Sequence, residues 1–135
     1  MYYLYNTILN WGDNVDIDFN NKMPIYIQIM DYLKQMVISG EIDKGSKLPS
    51  IRELSSKLGV NCSTVQKAYV EMERQGIIQV ERGMGTFVKN DAEVIMKLKK
   101  ETAERLIDEF INKMKNIGFN NEDIVTSIKK REKMS

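Results

Sequence analysis

A chain of 135 residues and 15.7 kDa has room for one compact domain, or for one small domain with an appendage. Its 20 basic and 19 acidic residues leave a net charge of +1, which speaks against a partner gripped by bulk positive charge, nucleic acid above all. With one cysteine and no histidine, the composition excludes an internal disulfide, a Cys/His zinc site, a histidine-assisted Ser or Cys nucleophile and a histidine-held haem.

No stretch approaches the ~18 consecutive apolar residues that span a bilayer. The start, MYYLYNTILNWG, lacks the basic opening and long apolar core of a secretory signal. These features predict a soluble, cytoplasmic protein with no membrane partner. Residues 1–20 carry Tyr2, Tyr3, Tyr5, Trp11 and Phe19, with Asp13, Asp16 and Asp18 as their only charges. Val15 to Phe19 alternates apolar and polar, as a short strand or extended arm does. This stretch is expected to be an N-terminal arm or extension.

Pro24 suits the opening of a helix because its missing N–H would be unpaired there. Ile25, Ile29, Tyr32, Leu33, Met36 and Val37 follow at helical spacing, until Ser39-Gly40 ends the run. Lys44-Gly45-Ser46 reads as a turn. Ser50-Ile51-Arg52-Glu53 is a capping box, which starts a short helix with Ile51, Leu54 and Leu58 on its buried face. After Gly59, Asn61 is a suitable N-cap for a further helix carrying Val65, Ala68, Tyr69 and Met72 inward. Gly76 ends that helix. Ile77 to Glu81 and Thr86 to Val88 read as two strands joined by the glycine-rich turn Arg82-Gly83-Met84-Gly85.

Asp91 is expected to cap a long helix with apolar residues at 94, 95, 98, 106, 107, 110, 111, 114 and 117. Gly118 breaks it. Asn120 or Asn121 then caps a last helix that buries Ile124, Val125 and Ile128. Lys129, Lys130, Arg131 and Lys133 crowd its C-terminal end, where cations complement the helix dipole. The predicted fold is mainly α with a small β-hairpin. It divides into an arm (1–20), a winged helix-turn-helix domain (21–90) and a short helical dimerisation region (91–135).

The helix pair and the hairpin offer DNA a coherent set of groups. Asn61, Cys62, Ser63 and Thr64 are short polar side chains at the start of the second helix of the pair, whose free N–H groups suit phosphate. Gln66 and Lys67 follow about one turn later. Ser50 and Arg52 open the preceding helix, Lys47 precedes them, and Arg82 sits at the hairpin tip. Gly83 and Gly85 leave the hairpin backbone open to close approach. Residues 47–89 hold seven basic and four acidic residues, a local excess of +3. Lys47, Lys67 and backbone N–H groups are expected to hold phosphates. The side chains of Arg52, Ser63, Thr64, Gln66 and Arg82 can donate to or accept from phosphates and base edges.

Several ordered motifs carry a resemblance. Pro24-Ile-Tyr-Ile-Gln28, Lys47-Leu-Pro-Ser-Ile-Arg-Glu-Leu54, Gly59-Val60, Thr64-Val-Gln-Lys-Ala-Tyr69, Gln75-Gly-Ile-Ile78 and Arg82-Gly-Met-Gly-Thr-Phe-Val88 together resemble the winged helix-turn-helix of GntR-family bacterial transcription regulators. The resemblance spans roughly residues 15–89, and the short helical C-terminus is similar to the YtrA subfamily. It implies that Arg52 reads a base or grips the backbone and that Ser63 and Thr64 contact DNA. It further implies that Lys67 contacts the backbone and that Arg82 and Gly83 enter the minor groove. Two positions depart from the family: Cys62 where proline or arginine is frequent, and Gln66 where some subfamilies place arginine.

The broad apolar stripe of the long helix needs cover beyond its own domain. A second copy, meeting at Phe110, Ile111, Met114 and Ile117, would give a two-fold homodimer suited to an inverted-repeat, double-stranded operator. YtrA-like proteins dimerise through this region, which agrees with the spacing but is separate from it. The expected function is a DNA-binding transcription regulator acting as a repressor, with no enzymatic activity and no cofactor. A small-molecule effector is left open. The rival is a winged-helix module that binds protein instead of DNA.

Overall fold

The computed structural model describes residues 17–134. Most of the expected arm, residues 1–16, lies outside the described residues. Among the described residues, five helices and one hairpin follow in order: α1 (Ile25–Ser39), α2 (Ile51–Leu58), α3 (Cys62–Arg74), β1 (Ile78–Glu81), β2 (Gly85–Val88), α4 (Ala92–Asn116) and α5 (Asn121–Met134). The chain forms two compact units, the first ending at Leu98 and the second starting at Lys99.

In the first unit, α1 starts at the residue after Pro24, whose carbonyl accepts the N–H groups of Ile27 and Gln28. Its buried face is Ile29, Met30, Leu33, Met36 and Val37. Ile25 is exposed, so the buried stripe begins one turn later than the apolar periodicity predicts. Gly40 closes the helix in the left-handed region at φ 83°. Ile42, fully buried, follows through an N–H bond to the Met36 carbonyl.

The turn expected at residues 44–46 is present, with Ser46 donating to the Asp43 carbonyl at 3.1 Å, and the same segment also pairs with β2. Gly45 donates to the Val88 carbonyl, Val88 to Ser46, and Leu48 to Thr86, at 2.8–2.9 Å. Lys47 pairs with Phe87 in an antiparallel bridge. The segment before α2 therefore lies along the free edge of β2. On the other edge β1 pairs antiparallel, with Ile78 opposite Val88 and Glu81 opposite Gly85. Hydrogen bonding across the gap in sequence, invisible to local pattern, recruits this edge.

The α2–α3 pair follows the predicted spacing. Ser50 Oγ accepts the Glu53 N–H at 3.1 Å and caps α2. Gly59, at φ 68°, closes it and turns the chain. Leu54, Val65, Ala68, Met72, Ile77, Ile78 and Val88 are buried with the α1 face in one core. The Tyr69 phenol is buried too, and its hydroxyl donates to the Pro49 carbonyl at 2.7 Å. That bond ties α3 to the residue preceding the α2 cap.

Asp91 caps α4 as expected, accepting the N–H groups of Glu93 and Val94. In the second unit, Gly118 at φ 97° breaks the chain between α4 and α5. Asn120 and Asp123 then exchange backbone-to-side-chain bonds of 2.8 and 3.0 Å, a reciprocal cap. The expected buried face of α5 reduces to Ile124, because Val125 and Ile128 are exposed. Along α4 only Leu98 is buried. Ile107 and Ile117 are 55% and 69% exposed, and Phe110 is 43% exposed. No described helix is long and apolar enough to cross a membrane.

Candidate nucleic-acid interface

The interface is built from the start of α3 outward. Val65, Ala68, Tyr69 and Met72 turn inward, so the opposite face turns out. Counting three, four and seven residues on from Ser63 gives Gln66, Lys67 and Val70. All four side chains, with Tyr26 of α1 and Glu71, line one shallow depression. Ser63, Gln66 and Lys67 are exposed, and Thr64 is half-buried.

Asn61 occupies the N-cap position, but its side chain makes no capping bond, contrary to expectation. Its carbonyl accepts the N–H groups of Thr64 and Val65 instead. The Asn61 side chain is exposed at the start of α3.

Cys62 has a local structural task. Ser55 Oγ donates to the Arg52 carbonyl at 3.0 Å and lies 3.1 Å from Cys62 Sγ. A hydroxyl has one proton, so the thiol is the donor in the second contact. Cys62 thus fastens the first residue of α3 to the middle of α2, which holds the two helices in register.

Arg52 is exposed in the first turn of α2, beyond the Ser50 cap. Arg82 is exposed at the turn between β1 and β2, beside Gly83 at φ 75°. Neither belongs to the α3 depression, which they flank in the chain from α2 and from the wing. Lys47 reaches the wing through its bridge to Phe87. Its side chain crosses the open face of Gly85: a Cβ built there would lie 2.7 Å from Lys47 Cε. The space beside Gly85 holds the Lys47 stem in this structure. The lack of a side chain at Gly85 brings a cation to the wing.

The acidic residues around this surface are engaged locally. Glu71 accepts from Arg74 through both carboxylate oxygens and from Gln75 at 3.1 Å. The Arg74 hydrogen bonds, then that of Gln75, hold its carboxyl down at about 2. Glu73 accepts the Val80 N–H at 3.2 Å. Lys67 Nζ lies over the Tyr26 ring, 4.5 Å from its centroid. Sequence reading missed Val70, although helical periodicity from Ser63 reaches it. Tyr26 could not be found that way, because it joins the surface only through the packing of α1 on α3.

The comparisons with known proteins agree with this geometry. A model of the bacterial regulatory proteins of the gntR family matches residues 25–88. The HTH-type transcriptional regulator YhcF of Bacillus subtilis is 37% identical over 115 residues, which cover 85% of this chain and 95% of YhcF. This chain belongs to the GntR family. Another GntR-family relative is the HTH-type transcriptional repressor YtrA of Bacillus subtilis, 42% identical over 61% of this chain and 63% of YtrA. Among solved structures, a GntR family transcriptional regulator from Listeria monocytogenes superposes with a TM-score of 0.76 at 39% identity. That match covers 83% of this chain and 98% of the Listeria chain. The residues matched by the family model, 25–88, run from the start of α1 to the end of β2.

Proposed function

We propose that this GntR-family chain is a sequence-specific DNA-binding repressor that grips an inverted-repeat operator as a homodimer. The observation that carries the proposal is the outward face of α3. It presents Ser63, Gln66 and Lys67 around the helix start, with Arg52 and Arg82 exposed on the elements before and after it. Gln66 has the donor–acceptor pair that matches an adenine edge, and arginine matches guanine. Lys47, Lys67 and the first-turn N–H groups of α3 supply phosphate contacts, which set register without reading sequence. Ser50 caps the start of α2, and Asn61 stands exposed at the start of α3 without a capping bond. The name of YtrA, a repressor, supports repression as the outcome of binding.

Dimerisation is supported by the second unit. Ile107, Phe110 and Ile117 expose apolar area on a single copy, with Ile111 and Met114 half-buried beside them. A second copy that covers this face gives two-fold symmetry, and with it two matched half-sites. We place the protein in the cytoplasm with the DNA it regulates.

Salt titration of DNA binding tests the function. Counterion release makes affinity fall steeply as salt rises, in proportion to the phosphates contacted. Gel-shift affinity that drops with each salt increment supports DNA binding. No binding to any duplex at low salt contradicts it and leaves the fold a protein-docking module.

A further inference from the structure

We propose that Tyr26, on the first turn of α1, is a positioning residue that holds the Lys67 ammonium where it meets a DNA phosphate. The proposal rests on the reading of Lys67 as a phosphate contact. Lys67 Nζ stands over the Tyr26 ring, 4.5 Å from the centroid, within the range of a cation–π contact. A lysine side chain is otherwise long and mobile, and ordering it on binding costs entropy. The ring removes part of that cost before DNA arrives. It covers one side of the ammonium and leaves the other side for a phosphate oxygen.

The alternative neighbour is already committed. Glu71 lies one turn beyond Lys67 and could compete for its charge. Its carboxylate is instead held by Arg74 and Gln75. The helix dipole also disfavours a Lys67–Glu71 pair in this order along the chain. The ring and the lysine line the same depression as Ser63 and Gln66, so the held charge stands beside the groups proposed to read bases. A first-turn residue of α1 thereby acts on DNA through a residue of α3.

The test combines ring and charge variants on the full chain. Lys67→Met, Tyr26→Phe, Tyr26→Leu and the Lys67→Met/Tyr26→Leu double variant are titrated against a random-sequence DNA duplex over a range of salt. Urea melting of each variant confirms that it folds, and Tyr26→Phe keeps the ring if Tyr26→Leu does not. We expect Lys67→Met to lower affinity and to reduce the salt slope by about one contact. Tyr26→Phe leaves affinity unchanged. Tyr26→Leu weakens binding by about two- to five-fold, the range of an exposed cation–π contact, and adds nothing in the Lys67→Met background. In free protein, the ring should shift the Lys67 ε-proton resonances upfield, and Tyr26→Leu should abolish that shift. If Lys67→Met changes neither affinity nor slope, the phosphate role of Lys67 fails, and the positioning role with it. If Lys67→Met weakens binding but Tyr26→Leu does not, or if Tyr26→Leu weakens binding equally without Lys67, the positioning role alone is overturned.

Discussion

The hydroxyl of Tyr69 makes a buried bond that ties α3 to the chain just before α2. It donates to the carbonyl of Pro49, a residue with almost no exposed surface, one position before the α2 cap. Removing it leaves a buried carbonyl unpaired, so Tyr69→Phe should destabilise the fold by about 1–3 kcal/mol in urea denaturation. Burial, and then the charge of Glu53, push this phenol well above its ordinary value of 10. The folded state thus favours the protonated phenol. Its contribution is full below pH 10 and is lost as pH rises beyond that. Glu71 has the opposite sign. Its carboxyl is lowered from 4.5 to about 2, so its contribution is present above pH 4.5 and fades as pH falls toward 2. Carboxyl carbon shifts in an acid titration should show Glu71 ionised near pH 3, where an unperturbed glutamate is protonated. The proposed role of Arg52 concerns function more directly. Arg52→Ala should weaken binding to a selected operator by about 1–3 kcal/mol and relax preference at one base position. Unchanged operator affinity in gel shift removes Arg52 from the base-reading set. The caps at Ser50 and Asp91 were legible in the sequence because their partners lie two or three residues away. The Tyr69–Pro49 and Tyr26–Lys67 contacts were not, because they depend on how helices pack.

At the scale of elements, the wing shows the same division. Its two strands and its turn could be read from alternating apolar residues around Arg82-Gly83-Met84-Gly85. The third segment, residues 45–48, could not, because nothing local marks it as paired. Its pairing changes the task of Gly85. That residue sits at φ 127°, a conformation that side chains resist, with the Lys47 stem across its open face. Gly85→Ala should cost about 1–3 kcal/mol in thermal denaturation through backbone strain. It should also dislodge Lys47, which can yield because the crowded atom is near the end of a flexible side chain. A variant as stable as the parent would show that the wing adopts another backbone conformation. The start of α3 carries a milder lesson. Asn61 has the composition of a cap, yet its amide stays free of the backbone. Composition identified the helix start, but not that its amide would stay exposed and uncapped.

For the whole molecule, the net charge of +1 conceals a regional imbalance. Residues 1–23 carry one basic and three acidic residues, while residues 24–90 carry nine basic and seven acidic. Weak bulk attraction shifts the burden to geometry and base contacts. The proposed homodimer would supply that geometry, because two linked half-sites bind with far greater avidity than one. The apolar stripe of α4 was legible from spacing, and the structure leaves Ile107 and Ile117 largely uncovered on one copy. Sedimentation should therefore give a dimer at micromolar concentration. Ile107→Glu with Ile117→Glu should give a folded monomer with much weaker operator binding, and a dimer that survives both charges would place the interface elsewhere. Selection of bound duplexes from random DNA by the intact protein probes symmetry and base reading together. Enrichment of an inverted repeat with a constant half-site spacing is the expected result. Recovery of unenriched sequence, or of a single half-site without symmetry, would contradict a homodimer that reads an operator.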